Sequence, residues 1–202
     1  MKLVGKTAIV TGGGRDIGAA VAKTLAAEGA KVAISYFKSS KGADSVVTEI
    51  EAAGGQALAV QADLNTQGGV DKLVNAAIGA FGGVDVLVNN AGGLIARKTI
   101  AEMDLTHWNN VMTLNLTSTF MMTKACLAHM KSGTIVNLAS QAGRDGGGPG
   151  AVAYATSKGA VMTMTRALSK ELGPNIRVNA LCPGMIDTDF HNIHTPDAGR
   201  KG

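Results

Sequence analysis

The chain alternates short apolar runs with longer segments of helical periodicity along almost its whole length, and this alternation is the strongest constraint on its fold. The runs that predict β-strands are Thr7–Thr11, Lys31–Ser35, Gln56–Gln61, Val84–Val88, Thr134–Ala139 and Ile176–Leu181. The segments that predict helices are Ile17–Gly29, Ser40–Ala53, Val70–Phe81, Thr106–Met130 (with Thr106 as the N-cap) and Val152–Leu172. Strands and helices in strict alternation, joined by short connections, predict an α/β fold: a doubly wound parallel sheet with helices on both faces, in three layers.

Length and composition favour one domain with a large aliphatic core. The chain has 202 residues, and we expect residues 1–202 to form a single domain. A hydrophobic fraction of 46% and a charged fraction of 17% exclude disorder. Glycine occurs 27 times and aromatic residues make up only 3%, which favours a core of Val, Ile, Leu and Ala with many tight strand-to-helix turns.

The charge pattern and the cysteines narrow the class of partner and the compartment. The net charge of +4 is spread thinly, without a block of Lys and Arg, so nucleic-acid binding is not expected. The sequence shows neither a signal peptide nor an apolar run long enough to cross a membrane. Cys126 and Cys182 match no metal-ligand spacing and predict buried, reduced thiols in a cytoplasmic protein. We expect a small-molecule ligand and no metal site.

A glycine-rich turn follows the first predicted strand and opens the first predicted helix. It reads Thr11-Gly-Gly-Gly-Arg-Asp-Ile-Gly18. Backbone N–H groups in such a turn can approach a pyrophosphate, and the helix dipole favours the negative charge. The turn therefore predicts nucleotide contacts from Gly12, Arg15, Asp16, Ile17 and Gly18, although a tight turn without a ligand has the same pattern. Asp16 would repel a pyrophosphate unless Arg15 offsets its charge. The alternative is that Asp16 serves as a helix cap.

A second stretch, from Ser140 to Lys158, carries the chemistry. The fifth predicted strand delivers Ser140, a glycine-rich loop without regular structure follows, and the last helix carries Tyr154 and Lys158. Four residues apart on a helix, these two side chains share one face. An adjacent ammonium would lower the pKa of the phenol and make it a proton donor usable near neutrality. The alternative is a half-buried tyrosine beside a solvated lysine.

Two further segments are candidates for the cofactor groove. Asn90 follows the fourth predicted strand, where it can line the groove or stabilise a turn, and Gly92 allows close approach of a ligand. The stretch after the second strand, residues 35–40, lacks the carboxylate that usually accepts the ribose 2′-OH of NAD. Arg15 and Lys38 could instead meet a 2′-phosphate, so we expect NADP(H) to be preferred, with NAD(H) as the weaker ligand.

Taken together, these motifs resemble the short-chain dehydrogenase/reductase family, of the single-domain type related to 3-oxoacyl-acyl-carrier-protein reductases. The matching pieces, in the family's order, are Thr11-Gly12 to Gly18, Asp63, Asn89-Asn90-Ala91-Gly92, Asn115, Ser140, Tyr154 with Lys158, and Pro183-Gly184 followed by Thr188. The resemblance implies a Rossmann-like fold and an oxidoreductase that interconverts a ketone and a secondary alcohol, including 3-oxoacyl thioesters among its substrate classes.

The resemblance also implies roles for individual residues. Tyr154 would be the general acid in reduction, Lys158 would lower its pKa and hold the nicotinamide ribose, and Ser140 would bind the substrate oxygen. Asn115 would anchor a water that connects Lys158 to solvent; its alternative is to satisfy a neighbouring backbone group.

At the cofactor, the resemblance implies that Asp63 and Leu64 meet the adenine, with a helix cap as the alternative for Asp63. Pro183 and Gly184 would line the nicotinamide end, and Thr188 would contact the carboxamide.

Two departures from the family separate an enzyme from an alternative class, a non-catalytic or truncated dinucleotide-binding protein. The family usually has glycine where this chain has Asp16, and the chain is C-terminally short. We expect the strand Ile176–Leu181 to be left as a bare edge, and we expect the natural protein to be longer. The resemblance implies that the longer protein is a homotetramer whose interfaces use the helices Thr106–Met130 and Val152–Leu172 and a further C-terminal strand.

Overall fold

A computed structural model describes residues 1–189. Within that range the strands are β1 (Thr7–Val10), β2 (Lys31–Tyr36), β3 (Gln56–Gln61), β4 (Val86–Asn89), β5 (Gly133–Leu138) and β6 (Ile176–Leu181). The helices are α1 (Asp16–Ala27), α2 (Ser40–Ala52), α3 (Gln67–Phe81), α4 (Leu105–Met112), α5 (Ser118–Leu127), α6 (Ala142–Asp145) and α7 (Val152–Leu172), with a π-helical turn, Thr113–Thr117, between α4 and α5.

The strands form one sheet in the order β3-β2-β1-β4-β5-β6, and every pairing between neighbours is parallel. The chain runs outward from β1 to β3 and then returns to the other side of β1 with β4. This reversal is the topological switch point, where open α/β sheets place their ligands, at the carboxyl ends of the strands. The predicted doubly wound parallel sheet is confirmed.

Helices cover both faces of the sheet because successive strand residues point to opposite sides. On β1, Ala8 and Val10 belong to a core shared with α1 and α2, while Ile9 belongs to a core shared with α3 and α5. All three side chains are fully buried. The sheet is thus the middle of three layers, as predicted.

The segment between β4 and β5 differs from the prediction in two ways. The N-cap of α4 is Asp104, whose carboxylate accepts from the backbone N–H of His107, and not Thr106, which lies inside the helix. The predicted continuous helix is interrupted by the π-turn, in which Asn115 is fully buried. A short helix, α6, also forms in the loop for which no regular element is expected.

Strand β6 lies at one edge of the sheet within the described residues, and β3 lies at the other. Ile176 and Val178 of β6 are buried, whereas Leu181 is 54% exposed. Residues 190–202, which complete the segment expected to lack periodic structure, lie outside the described range. No helix between residues 1 and 189 combines the length and the apolar character needed to cross a membrane.

Candidate active site

A cavity of about 820 Å³ opens at the carboxyl ends of the strands and extends from the glycine-rich turn to Tyr154. It lies at the switch point between β1 and β4, where the topology predicts a ligand. The predicted site residues that line it are Gly12, Arg15, Asp16, Ile17, Gly18, Lys38, Asn90, Gly92, Ser140, Tyr154, Lys158, Pro183, Gly184 and Thr188. The fold therefore brings together residues that span nearly the whole described chain.

The glycine-rich turn is packed so closely that several of its positions exclude a side chain. Gly12 has φ +65° and donates its backbone N–H to the Ser35 hydroxyl at 3.0 Å. A Cβ on Gly18 would collide with the Gly12 carbonyl and lie 2.6 Å from the Asn90 amide nitrogen. This close approach brings the turn against the N-terminus of α1, the arrangement that suits a pyrophosphate.

Gly18→Ala is expected to weaken binding of NADPH by at least about tenfold, because the Cβ pushes the turn away from the helix that orients its N–H groups. Fluorescence titration of the purified variant measures the effect. Gly79→Ala is the matched control: Gly79 lies inside α3, where a Cβ meets nothing within 4 Å. Equal affinity in both variants would contradict this function for the turn.

Asp16 is the first residue of α1 and has φ +50°, a left-handed conformation that asparagine and aspartate tolerate better than most residues. This conformation is one that glycine adopts readily, which agrees with the glycine that the family resembled by the sequence has at this position. Asp16 does not cap the helix: the N-cap is Arg15, which makes no side-chain capping bond. The Arg15 guanidinium lies 3.4 Å from the Asp16 carboxylate and 3.9 Å from that of Asp189. The ion pair with Arg15 reduces the negative charge that Asp16 presents to the cavity.

Asn90 fastens the end of β4 to the glycine-rich turn. Its side-chain amide donates to the carbonyls of Thr11 at 2.9 Å and Gly12 at 3.2 Å. The Thr11 hydroxyl accepts from the backbone N–H groups of Asn90 and Ala91, both at 2.9 Å. Asn90 therefore stabilises the turn and also lines the cavity. Thr11, for which the sequence predicts no individual role, also stabilises the turn.

Ser140 and Tyr154 meet at the opposite end of the cavity. Ser140 follows β5 by two residues, Tyr154 lies in the first turn of α7, and the two side chains are hydrogen-bonded. Burial raises the pKa of the Tyr154 phenol above its usual value, and the bond with Ser140 lowers it. The phenol is thus protonated at neutral pH. Lys158 is not among the groups that shift this pKa in the structure, and its expected lowering of the pKa stays a prediction.

Lys158 is 4% exposed and its ammonium donates to the Leu138 carbonyl at 2.6 Å. The Nζ atom lies 5.8 Å from the centre of the Tyr154 ring. Burial lowers the pKa of Lys158 from 10.5 to about 8, with Cys182 acting in the opposite direction. Lys158 is therefore a buried side chain, which excludes the solvated lysine considered from the sequence.

Asn115 lies behind the cavity wall and not in it. Its amide nitrogen donates to the carbonyls of Gly93 and Val111, both at 2.9 Å, and its oxygen accepts from the Gly93 N–H at 2.9 Å. A Cβ on Gly92 would lie 2.6 Å from this oxygen and 3.1 Å from Lys158 Nζ, so both atoms approach the same glycine. The side chain satisfies backbone groups, and the water-anchoring role stays a prediction.

Two predicted cofactor residues, Asp63 and Leu64, are not among those lining the cavity. The Asp63 carboxylate accepts from the Asn65 backbone N–H at 3.0 Å, and Leu64 is buried in the core. The cap of α3 is Thr66, whose hydroxyl accepts from the Gly69 N–H, so the capping alternative for Asp63 is wrong. The contact of Asp63 and Leu64 with the adenine stays a prediction.

The cavity also contains residues that the sequence did not identify. They come from the end of β2, from the segment after β4 and from the loop before α7: Tyr36, Phe37, Ser39, Leu94, Arg97, Asp145, Gly147 and Gly148.

The free cysteines differ from each other: Cys126 is fully buried, with its pKa raised to about 12 by burial, while Cys182 is partly exposed. No cluster of side chains suited to a metal ion occurs within residues 1–189.

Residues 6–198 match the protein family described as short chain dehydrogenase. A 3-oxoacyl-[acyl-carrier-protein] reductase of Synechocystis is 45% identical over 193 residues, which cover 93% of this chain and 77% of that protein. A dehydrogenase/reductase of known crystal structure from Sinorhizobium meliloti superposes with a TM-score of 0.93 at 37% identity, over 99% of this chain and 79% of that one. A short chain dehydrogenase from Burkholderia cenocepacia, crystallised in complex with NADP, gives a TM-score of 0.90 at 41% identity, over 94% and 78% of the two chains.

Proposed function

The chain belongs to the short-chain dehydrogenase family, and from this membership we propose that it is an NADP(H)-dependent reductase of ketones, with 3-oxoacyl thioesters as its substrate class. Family membership makes it an oxidoreductase that binds a nicotinamide dinucleotide. We propose further that residues 1–202 form one domain that holds both the cofactor and the catalytic groups.

One observation carries the proposal: a hydrogen-bonded Ser140 and Tyr154 pair lies in the same cavity as a glycine-rich turn at a helix N-terminus. The turn fits a dinucleotide because its backbone lies directly against the start of α1, where N–H groups can meet a pyrophosphate. Glycine at position 18 permits this contact, since a Cβ there would collide with the Gly12 carbonyl. When bound, the cofactor supplies or accepts the hydride. Gly12, Lys38 and Asn90 would hold its adenosine half, and Lys158 and Thr188 its nicotinamide half.

Tyr154 and Ser140 would act on the substrate carbonyl. The Tyr154 hydroxyl, protonated at neutral pH, donates its proton to the oxygen that becomes an alcohol. The Ser140 hydroxyl donates to the same oxygen and stabilises the negative charge that develops there. The buried charge of Lys158 lies within 5.8 Å of the Tyr154 ring and favours the phenolate that remains.

A panel of ketones identifies the substrate class. Purified protein with NADPH is offered 3-oxoacyl thioesters, keto sugars and small ketones, and oxidation of the cofactor is followed by absorbance. Turnover of the thioesters above the other ketones is the expected result. Cofactor binding without turnover of any carbonyl compound would favour the non-catalytic alternative.

We expect NADPH to bind more tightly than NADH, and Lys38→Gln to weaken NADPH binding about tenfold with little effect on NADH. Lys38 lines the cavity just after β2, and residues 35–40 contain no carboxylate to receive a ribose 2′-OH. Titration with both cofactors measures the preference. Lys41→Gln is the control, because Lys41 is exposed on α2 and does not line the cavity. An equal loss for both cofactors would contradict recognition of the 2′-phosphate by Lys38.

We also propose a homotetramer in the cytoplasm, acting on a small molecule and not on nucleic acid or membranes. Exposed apolar side chains on the predicted interface helices support self-association: Phe120 is 50% exposed and Val152 42%. Two free cysteines agree with a reducing compartment. Light scattering measures the assembly.

A further inference from the structure

The segment after β4 contains a strained turn beside the cavity. The backbone N–H of Ala96 donates to the carbonyl of Leu94 at 2.9 Å, and Ile95 between them has φ +65°. This is a γ-turn of the strained form, and a β-branched residue is rarely found in that conformation. The turn redirects the chain so that Leu94 and Arg97 both line the cavity. Strain of this kind persists only where surrounding contacts hold it in place.

Two hydrogen bonds that follow the turn reach the loop before α7. Arg97 donates through Nη1 to the Pro149 carbonyl at 2.8 Å, and the Lys98 backbone N–H donates to the Gly150 carbonyl at 3.1 Å. The two segments are in close contact, since a Cβ on Gly150 would lie 2.9 Å from the Arg97 Cβ and 3.1 Å from the Lys98 nitrogen.

The loop before α7 needs such contacts because its glycines restrict the backbone little. Gly146, Gly147 and Gly150 all have positive φ, and each glycine allows the chain many alternatives. The loop nevertheless leads directly into α7: Ala151 is the N-cap, and its carbonyl accepts from the Ala155 N–H at 2.8 Å. Tyr154 lies in that first helical turn. A displacement of Pro149 or Gly150 would therefore be passed to the phenol.

We propose that Arg97 is a positioning residue for the reaction: with the backbone of Lys98 it braces residues 149–150 and so fixes Tyr154 relative to Ser140. The inference rests on the proposed ketone reduction. The brace acts at the substrate end of the cavity, whereas the glycine-rich turn and Lys38 lie at the other end. Its loss therefore affects the carbonyl substrate and leaves cofactor binding unchanged.

The first test removes the side-chain contact. Arg97→Met keeps an unbranched apolar stem but lacks the guanidinium donor, and we expect kcat/KM for the ketone to fall about tenfold, through both a higher KM and a lower kcat. The dissociation constant of NADPH stays within twofold of the wild-type value, about the scatter that surface changes produce. Arg97→Lys, which keeps a donor and the charge, restores part of the loss.

Lys98→Met is the matched control for the change of charge. The Lys98 side chain pairs with Asp104 at 3.1 Å and does not line the cavity, and its backbone bond to Gly150 survives the substitution. Wild-type kinetics are expected. If Lys98→Met reproduced the effect of Arg97→Met, charge in general and not the brace would be responsible, and the proposal would fail.

A second pair of variants approaches the contact from the loop. Gly150→Ala and Gly146→Ala both place alanine at a positive φ, but only the first brings a Cβ against Arg97, since nothing lies within 4 Å of a Cβ on Gly146. We expect Gly150→Ala to give the same combination of raised KM, lowered kcat and retained NADPH binding, and Gly146→Ala to have the smaller effect. Equal effects would overturn the proposal.

Hydrogen exchange tests the brace without reference to turnover. Amides of residues 146–153 are expected to exchange faster in Arg97→Met than in the wild type or in Lys98→Met. Unchanged exchange would overturn the brace even in an active enzyme. Faster exchange in a protein that reduces no ketone would retain the brace and reject the proposed function.

Discussion

Tyr154→Phe is expected to lower kcat for ketone reduction by about 10³–10⁴-fold while leaving the affinity for NADPH nearly unchanged. The substitution removes one hydroxyl, which is the group that would donate a proton to the carbonyl oxygen. The ring stays in its half-buried place at the start of α7, so the wall of the cavity is retained. Ser140 keeps its hydroxyl but loses the Tyr154 phenol as a hydrogen-bond partner. Stopped-flow kinetics and fluorescence titration separate the two effects.

Thr163→Val is the control for this substitution. Thr163 lies on the exposed side of α7, where its hydroxyl accepts from Arg166 at 3.1 Å, far from the described cavity lining. Loss of that hydroxyl should leave kcat unchanged. A Phe variant that retained more than a tenth of wild-type kcat would show that Tyr154 is not the proton donor.

Lys158→Met is expected to change the unfolding free energy of the cofactor-free protein more favourably at pH 7 than at pH 10.5. Burial lowers the pKa of Lys158 from 10.5 to about 8, so between these values the unfolded chain holds a proton that the folded chain has lost. Stability of the wild type therefore rises with pH across this window, and the cost of the buried charge is fully present below pH 8. Methionine carries no charge, so the variant does not have this cost at either pH. The difference in unfolding free energy between the variant and the wild type should shrink by about 3 kcal/mol from pH 7 to pH 10.5.

Urea unfolding at the two pH values measures this difference. The variant also loses the bond from Lys158 to the Leu138 carbonyl, but that loss changes little with pH, so the comparison across pH isolates the charge. Lys170→Met, on the exposed last turn of the same helix, should differ from the wild type by the same amount at both pH values. A pH-independent difference for Lys158→Met would mean that the ammonium is not desolvated. We expect Lys158→Met to be inactive with cofactor and ketone.

The sequence predicts the fold well because the pattern that builds a parallel sheet is local. Apolar runs bounded by glycine and polar residues mark the strands, and β3, β6 and α7 have the bounds expected from periodicity alone. The connections are short, which leaves few ways to arrange the elements. The resemblance to the short-chain dehydrogenase family is confirmed.

The interruptions of regular structure were not predictable in the same way. Threonine and aspartate are both residue types that cap helices, so Thr106 and Asp104 were equally suitable. Asp104 is the cap because its carboxylate accepts from the His107 N–H. The residue types in the segment do not signal the π-turn. Asn115 within it bonds to Gly93, which is 22 residues away along the chain, so the turn goes together with a tertiary contact that local pattern cannot show.

The same distinction between local pattern and tertiary contact applies to the residues of the candidate site. Ser140, Tyr154 and Lys158 could be predicted because their chemistry is recognisable and their spacing follows the helix. Arg97 could not, since it lies in an irregular segment and reaches the cavity through a turn at Ile95 that residue preferences argue against. The direction of the pKa shift of Tyr154 also escaped prediction, because it depends on burial.

The π-turn gives the helical segment between β4 and β5 one residue more than a continuous α-helix would place there. Val111, Asn115 and Thr119 are all buried at intervals of four residues, which places them on one face of the segment. Loss of one residue from 113–117 would convert the π-turn into an α-helical turn, and α5 would keep nearly the same orientation, with Met122 and Cys126 still in the core. The contact that would be lost is instead the one between Asn115 and Gly93, which lies beside the cavity. Among homologues, an alignment gap in this segment is therefore expected to occur together with replacement of Asn115.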